Sequence, residues 1–109
     1  MRIWDIHPSR LCRHHLLGEH AELHALWSVI VGNKSGFAHH PETMRWRGRL
    51  KALYLRHDLL VREMERRGYR HGSPLPASEA TGSDVQDEYL ATPEEQLRML
   101  RSRDCDCDV

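Results

Sequence analysis

Apolar positions divide the chain into a short alternating lead-in followed by three stretches of helical period. Ile3 and Ile6 frame the opening "MRIWDIHPSR", which Pro8 then interrupts, so these residues read as an extended segment. From Leu11 the apolar residues fall at 16, 23, 26, 27 and 30, which predicts a first helix with Ser9 as its N-cap and an end near Gly32. "GNKSG" at 32–36 is a glycine-rich turn, with Phe37 as the expected anchor of the loop that follows. Pro41 suits a first helical position and Glu42 a first turn. Trp46, Leu50, Leu53, Leu60 and Met64 then mark one face as far as Gly68 and Tyr69. This predicts a second helix of about 27 residues, roughly 40 Å long at 1.5 Å per residue. The segment 72–88 is poor in apolar residues and rich in Gly, Pro, Ser and Asp, and reads as a loop. A short third helix is expected over 92–103, where Thr92, Pro93 and Glu95 form a capping box around a proline start. No run requires a strand, and no internal repeat is visible. The expected architecture is all-α: one domain over 1–109 with about three helices and an extended N-terminal segment.

Length and composition narrow the function classes. A chain of 109 residues has room for one modest core, which excludes a large two-domain enzyme. The longest apolar run falls well short of the roughly 20 residues that span a bilayer, and no secretory signal pattern opens the chain. Three cysteines, Cys12, Cys105 and Cys107, have no disulfide-framework spacing and fit a reducing compartment, so the cytoplasm is the expected location.

The net charge of zero hides an asymmetry. Residues 1–75 carry 13 Lys/Arg against 7 Asp/Glu, together with all nine histidines and all three tryptophans; residues 76–109 carry 3 against 9. A basic helical part, 1–75, thus precedes the loop 72–88 and a short helix with an acidic tail, 89–109. A basic surface attracts phosphates through counterion release, so nucleic acid becomes the partner to consider.

The densest candidate chemistry is "HHLLGEHAELH" at 14–24. His20 and His24 are four apart, as are His15 and Glu19, so each pair could face one cation. The HExxH arrangement is absent, and the nearest further candidates, His39 and His40, precede the second helix. "CDC" at 105–107 places thiols beside carboxylates at a charged chain end, which reads as a solvated tail. In the other reading, His15, Glu19, Glu22 and Leu26 recur at helical spacing and form an acid-base stripe. Such a stripe gains meaning beside a chain N-terminus, because an α-amine of pKa ~7.7 to 8 is partly a free nucleophile at neutral pH. Trp4, Trp27 and Trp46 read as core, His57 as a packed or surface histidine, and Cys12 as a small buried apolar side chain. "RWRGR" at 45–49 is a basic cluster with an interleaved Trp.

Two blocks carry a resemblance. "MRIWDIHPSRLCRHHLLGEHAEL" resembles the N-terminal segment of the pyrimidine-dimer DNA glycosylases of the phage endonuclease V type, in the order Arg-Ile, Leu, His-Leu, Glu and Glu-Leu. "RLKALYLRHDLLVREMERRGY" at 49–69 resembles that family's second helix with its Arg-Gly-aromatic ending. The likeness runs over about residues 1–75. It implies a helical DNA-repair enzyme, working without a cofactor or metal as a monomer on damaged double-stranded DNA, with pyrimidine dimers as the lesion. Its N-terminal amine would attack the sugar C1′ to form a Schiff base, and elimination would then cut the strand at the abasic site. By the same resemblance Met1 supplies the amine, Glu22 is the catalytic glutamate, Arg2 and His15 contact DNA, and Glu19 supports them. Base flipping would give access to the sugar.

The sequence departs from the family pattern in three places. Met1 stands where the phage enzymes expose a Thr, and the large Arg2 behind it disfavours removal of the initiator. Ala21 and Ala25 stand where arginines are expected, leaving Arg10, Arg13, Arg45, Arg47 and Arg49 to supply the DNA-binding charge. An aromatic, basic tail is replaced by "CDCDV". Two other classes stay open at this point: a nucleic-acid-binding or damage-sensing module without turnover, and a metal-dependent hydrolase built on the histidines.

Overall fold

The computed structural model describes residues 2–109 and is all-α, with no strand among the described residues. Four helices pack around one core: α1 (Arg13–Val31), α2 (Pro41–Trp46), α3 (Leu50–Arg66) and α4 (Pro93–Arg101). Among the described residues no helix is long and apolar enough to cross a membrane.

Helix α1 begins later than the periodicity implies. Ser9 lies inside a short 3-10 turn, Pro8–Arg10, and donates its N–H to the His7 ring at 3.1 Å. Cys12 takes the N-cap position of α1 instead, without a side-chain capping bond. Leu16, Leu23, Leu26 and Trp27 then form the buried face and meet Leu53, Leu60 and Met64 of α3. Phe37 is no anchor: it is 65% exposed and adopts a positive φ of 57°.

The single long helix expected over 41–68 is two. Helix α2 starts at Pro41 as expected, with the His40 ring as its cap, and ends at Trp46. Gly48 then takes φ 76°, a left-handed conformation that breaks the helical path, and α3 starts at Leu50. The partner of the break is remote in sequence. Gly82, at φ 81°, crosses so closely that a Cβ on it would sit 2.2 Å from the Gly48 carbonyl oxygen. Ser83 donates to that same oxygen at 2.9 Å, while Lys51 and Ala52 donate to the Thr81 and Ser83 carbonyls. The 72–88 loop thus satisfies the N-terminal amides of α3 that an unbroken helix would have satisfied itself.

Helix α4 has the expected capping box, with Thr92 and Glu95 exchanging side-chain and backbone bonds. It docks through Gln96, which is 1% exposed. Gln96 accepts from the Asp5 N–H at 2.7 Å and donates to the Asp5 carboxylate at 2.8 Å and the Ala91 carbonyl at 2.9 Å. The tail beyond α4 keeps its aspartates exposed, as its charge implies, but it is tied to the fold between them. Cys107 and Val109 pack on the core, and Asp108 and Arg10 exchange two bonds, Asp108 N–H to the Arg10 carbonyl at 2.7 Å and Arg10 Nε to the Asp108 carbonyl at 2.8 Å.

Candidate active site

The extended segment that precedes α1 is threaded over the helix face and held by buried charge. Glu19, 2% exposed, receives the Arg56 guanidinium on both oxygens at 2.7 and 2.9 Å, and also accepts from the Trp4 N–H at 3.2 Å. Arg56 in turn donates to the Ile6 carbonyl at 2.7 Å. One ion pair between α1 and α3 therefore binds the backbone at two points, Trp4 and Ile6. Burial pushes the Glu19 carboxyl up, and the Arg56 guanidinium and the Trp4 N–H act against it.

A second buried cation does the same from the other side. Arg45, 4% exposed, donates to the Ile3 carbonyl at 3.0 Å, to Asp5 at 3.0 and 3.2 Å, to Glu42 at 2.5 Å and to the Glu88 carbonyl at 2.9 Å. This corrects the expectation that Arg45 lies on a DNA-facing surface. A guanidinium with its donors committed inside the protein has no free edge for a phosphate. Arg49 is also engaged, by Glu88 at 3.1 Å and Asp87 at 3.7 Å, so part of the acidic segment lies against this end of the basic cluster.

With residues 3–6 pinned in this way, the Arg2 backbone N–H donates to the Glu22 carboxylate. Glu22 is half-buried, one helical turn beyond the buried Glu19 and one turn from exposed Gly18. The two glutamates of the stripe thus separate by environment: Glu19 is spent on structure, while Glu22 faces the start of the chain. Met1 lies outside the described residues, but it is bonded to the nitrogen that Glu22 accepts from. Arg2 carries its guanidinium over the Trp4 ring at 5.2 Å, and Arg103 approaches the same ring at 5.7 Å. Trp4, Trp27 and Trp46 are all buried, as expected of core tryptophans.

The remaining cations take different positions. Arg13 is exposed and lies over Tyr69 at 5.5 Å; Arg10 holds the tail; Arg47 donates to the Ala38 carbonyl at 3.0 Å and keeps part of its surface. Ala21 and Ala25 are exposed on α1. A groove flanked by His14, His15 and Gly18 of α1 and by Arg103 and Asp104 leads along this helix.

His15 does not stand free. Its Nδ1 lies 3.1 Å from Cys12 Sγ and 3.4 Å from Cys107 Sγ, and its ring meets Trp4 edge-on at 5.8 Å. Burial, then the nearby Arg103 charge, push its pKa down. Cys12 is therefore no inert apolar filler. Burial works to raise its thiol, but hydrogen bonding at the start of α1, the His15 backbone foremost, outweighs it and brings the group below its ordinary value. Burial pushes the Cys107 thiol up to about 12.

Four more histidines converge on the opposite side of α1. His20 and His24 meet His57 of α3 and His71 beyond it, with Nε2 to Nε2 distances of 3.0 Å for His20–His71 and 3.1 Å for His24–His57. Burial, and after it the neighbouring imidazoles, push His20 and His57 down to about 4. The spacing of His20 and His24 was visible in sequence, whereas nothing in it connected them to His57 and His71. Arg56 was likewise missed, although its place between Leu53 and Leu60 on the apolar stripe of α3 is the signal of a buried, paired charge.

The family model for pyrimidine dimer DNA glycosylase matches residues 1–76 of the 109-residue chain. The chain belongs to that family. Neither the curated proteins nor the solved structures hold a match to it. The family assignment agrees with the resemblance seen in the sequence and makes DNA the substrate class. For a pyrimidine dimer DNA glycosylase the matched part contains α1, α2 and α3 with Glu19, Glu22 and Arg56. It ends before α4 and the tail, so Gln96, Cys105 and Cys107 are additions outside the match.

Proposed function

We propose that the protein is a DNA glycosylase with associated abasic-site lyase activity, acting through a Schiff base between the N-terminal amine of Met1 and C1′ of a damaged nucleotide. The observation that supports this most is the hydrogen bond from the Arg2 N–H to Glu22, which brings a carboxylate to the residue next in sequence to the one bearing that amine. With a reference pKa of ~7.7 to 8, about a quarter of such amines are unprotonated near pH 7.4, enough for attack without a separate base.

In this mechanism the amine lone pair bonds to C1′, and the glycosidic bond breaks with its electron pair leaving on the base, which takes a proton. Ring opening, with the ring oxygen protonated, and loss of a proton from nitrogen yield the iminium. Removal of a C2′ proton sends electrons through the iminium and expels the 3′ phosphate. Water then hydrolyses the imine and returns the amine. Glu22 balances the cationic iminium and carries protons at these steps, because no other carboxylate of the α1 stripe is free to do so. Glu19 and Arg56 act by positioning the segment, not by touching substrate.

For the DNA face we keep Arg2, Arg10, Arg13, Arg47 and the half-buried Arg49, and leave out Arg45, which is buried, and His15, whose Nδ1 lies against Cys12 and Cys107. Glu22→Gln keeps the acceptor for Arg2 but cannot carry a negative charge. The expected result is a fall of about 10² or more in both dimer excision and abasic-site cleavage, with duplex binding and its salt dependence retained. Unchanged rates in this variant would overturn the role of Glu22. Salt-sensitive binding without any sugar chemistry in the wild type would select a damage-binding module instead.

A further inference from the structure

Outside the proposed catalytic site, two sets of side chains present converging metal-ligand atoms. The first is Cys12 and His15, separated by one turn at the start of α1, with Cys105 and Cys107 from the tail. Their three Sγ atoms and one imidazole nitrogen all lie within 4.8 Å of one another. Cys12 Sγ and Cys107 Sγ stand 3.1 and 3.4 Å from His15 Nδ1, and the Cys12 N–H donates to Cys107 Sγ at 3.1 Å. Zinc–sulfur bonds of ~2.3 Å and zinc–nitrogen bonds of ~2.0 to 2.1 Å give tetrahedral edges of about 3.5 to 3.8 Å. The four atoms thus reach a tetrahedron by adjustments of at most about 1 Å. Three thiols and an imidazole are a soft donor set, and the chain folds back over more than ninety residues to assemble it.

We propose that Cys12, His15, Cys105 and Cys107 form a structural zinc site that clamps the C-terminal tail to the start of α1. Four protein ligands close the coordination sphere, so this site binds no substrate. Through His15 the clamp reaches Trp4, the ring on which Arg2 and Arg103 lie, so it braces the surface beside Glu22 and removes His15 from the set of free DNA contacts.

A separate geometry carries a second site. His20, His24, His57 and His71 place four ring nitrogens within 4.8 Å, with two Nε2 to Nε2 separations of 3.0 and 3.1 Å. A tetrahedral zinc with nitrogen ligands at ~2.0 to 2.1 Å needs edges of about 3.3 to 3.4 Å. A second zinc here would join α1 to α3 and to the segment after it. Neither site depends on the glycosylase reading, because metal content is read without any activity.

The test is metal analysis by mass spectrometry on full-length protein, loaded with Zn2+ under reducing conditions and freed of loosely held ion, alongside Co2+ loading. Two zinc per chain are expected, falling to one in Cys105→Ser/Cys107→Ser and to one in His57→Asn/His71→Asn. Co2+ in the wild type should show both thiolate-to-cobalt charge-transfer absorption and the strong visible bands of tetrahedral cobalt. That spectrum decides the matter even if a variant fails to fold. The charge-transfer band should vanish in the cysteine variant and persist in the histidine variant. Less than about a tenth of an equivalent of zinc per chain overturns both sites. Tetrahedral cobalt without thiolate absorption, or a Cys12–Cys107 disulfide in freshly reduced protein, overturns the cysteine site. A single zinc that leaves with the cysteines overturns the histidine site.

Discussion

Replacing Arg56 with Met should be among the most damaging single changes in the protein. Arg56 covers both oxygens of Glu19, whose side chain has 0% exposure, and also satisfies the Ile6 carbonyl. Methionine fills much of the volume but leaves a buried carboxylate without its counter-ion. Breaking one partner of such a pair costs about 3 to 5 kcal/mol. Against a total stability of about 5 to 15 kcal/mol for a domain, that is a large share. At roughly 4 to 8 °C per kcal/mol for a chain near 100 residues, the melting temperature should fall by at least about 12 °C. Urea and thermal unfolding measure the loss, and the double variant Glu19→Gln/Arg56→Met interprets it. An amide in place of the Glu19 carboxylate keeps an acceptor for the Trp4 N–H but brings no charge, so the double variant should recover about 2 kcal/mol or more relative to Arg56→Met alone. The reasoning is refuted if Arg56→Met lies within about 1 kcal/mol of wild type, or if the double variant is no more stable than the single.

Two other perturbations test the fold. Hydrogen bonding from Arg66, reinforced by Arg67, holds Glu63 at about 2 against an ordinary 4.5, so the unfolded chain takes up the proton first as acid is added. Its contribution is present above about pH 4.5 and disappears as pH falls towards 2; stability profiles of wild type and Glu63→Gln should converge across that window, and parallel profiles would contradict this. Gly82→Ala should cost at least about 2 kcal/mol, because its Cβ would meet the Gly48 carbonyl oxygen at 2.2 Å in a left-handed backbone, whereas Gly18→Ala, with nothing within 4 Å, should gain up to about 1 kcal/mol. Chemical denaturation of the two variants checks both signs.

Features written by neighbours in sequence were legible from it. The capping box of α4 needs only Thr92, Pro93 and Glu95, and the proline start of α2 only Pro41 and Glu42. The break between α2 and α3 was not, because Gly48 in isolation fits an exposed helix face and the residue that fixes its turn, Gly82, lies in a segment that reads as a featureless loop. The same holds for the candidate site. Glu22 stands out through resemblance and helical spacing, yet nothing local separates it from Glu19; the distinction comes from Arg56 on another helix and from the path of residues 2–6. Arg45 reads as part of a basic patch until the acceptors at Ile3, Asp5 and Glu88 close around it. Cys12 and the acidic tail read as filler and solvated charge, because their ligand-like geometry exists only once α4 turns the chain back to α1.

The proposed chemistry rests on one bond, between the amine of Met1 and C1′ of the damaged nucleotide. Borohydride reduction of full-length protein on abasic-site duplex DNA, followed by peptide mass mapping, reads that bond directly. The account predicts a covalent adduct on the N-terminal peptide, localised to the α-amine, and strongly reduced in Glu22→Gln. An unblocked N-terminus with no adduct, or an adduct on a lysine side chain, would contradict it.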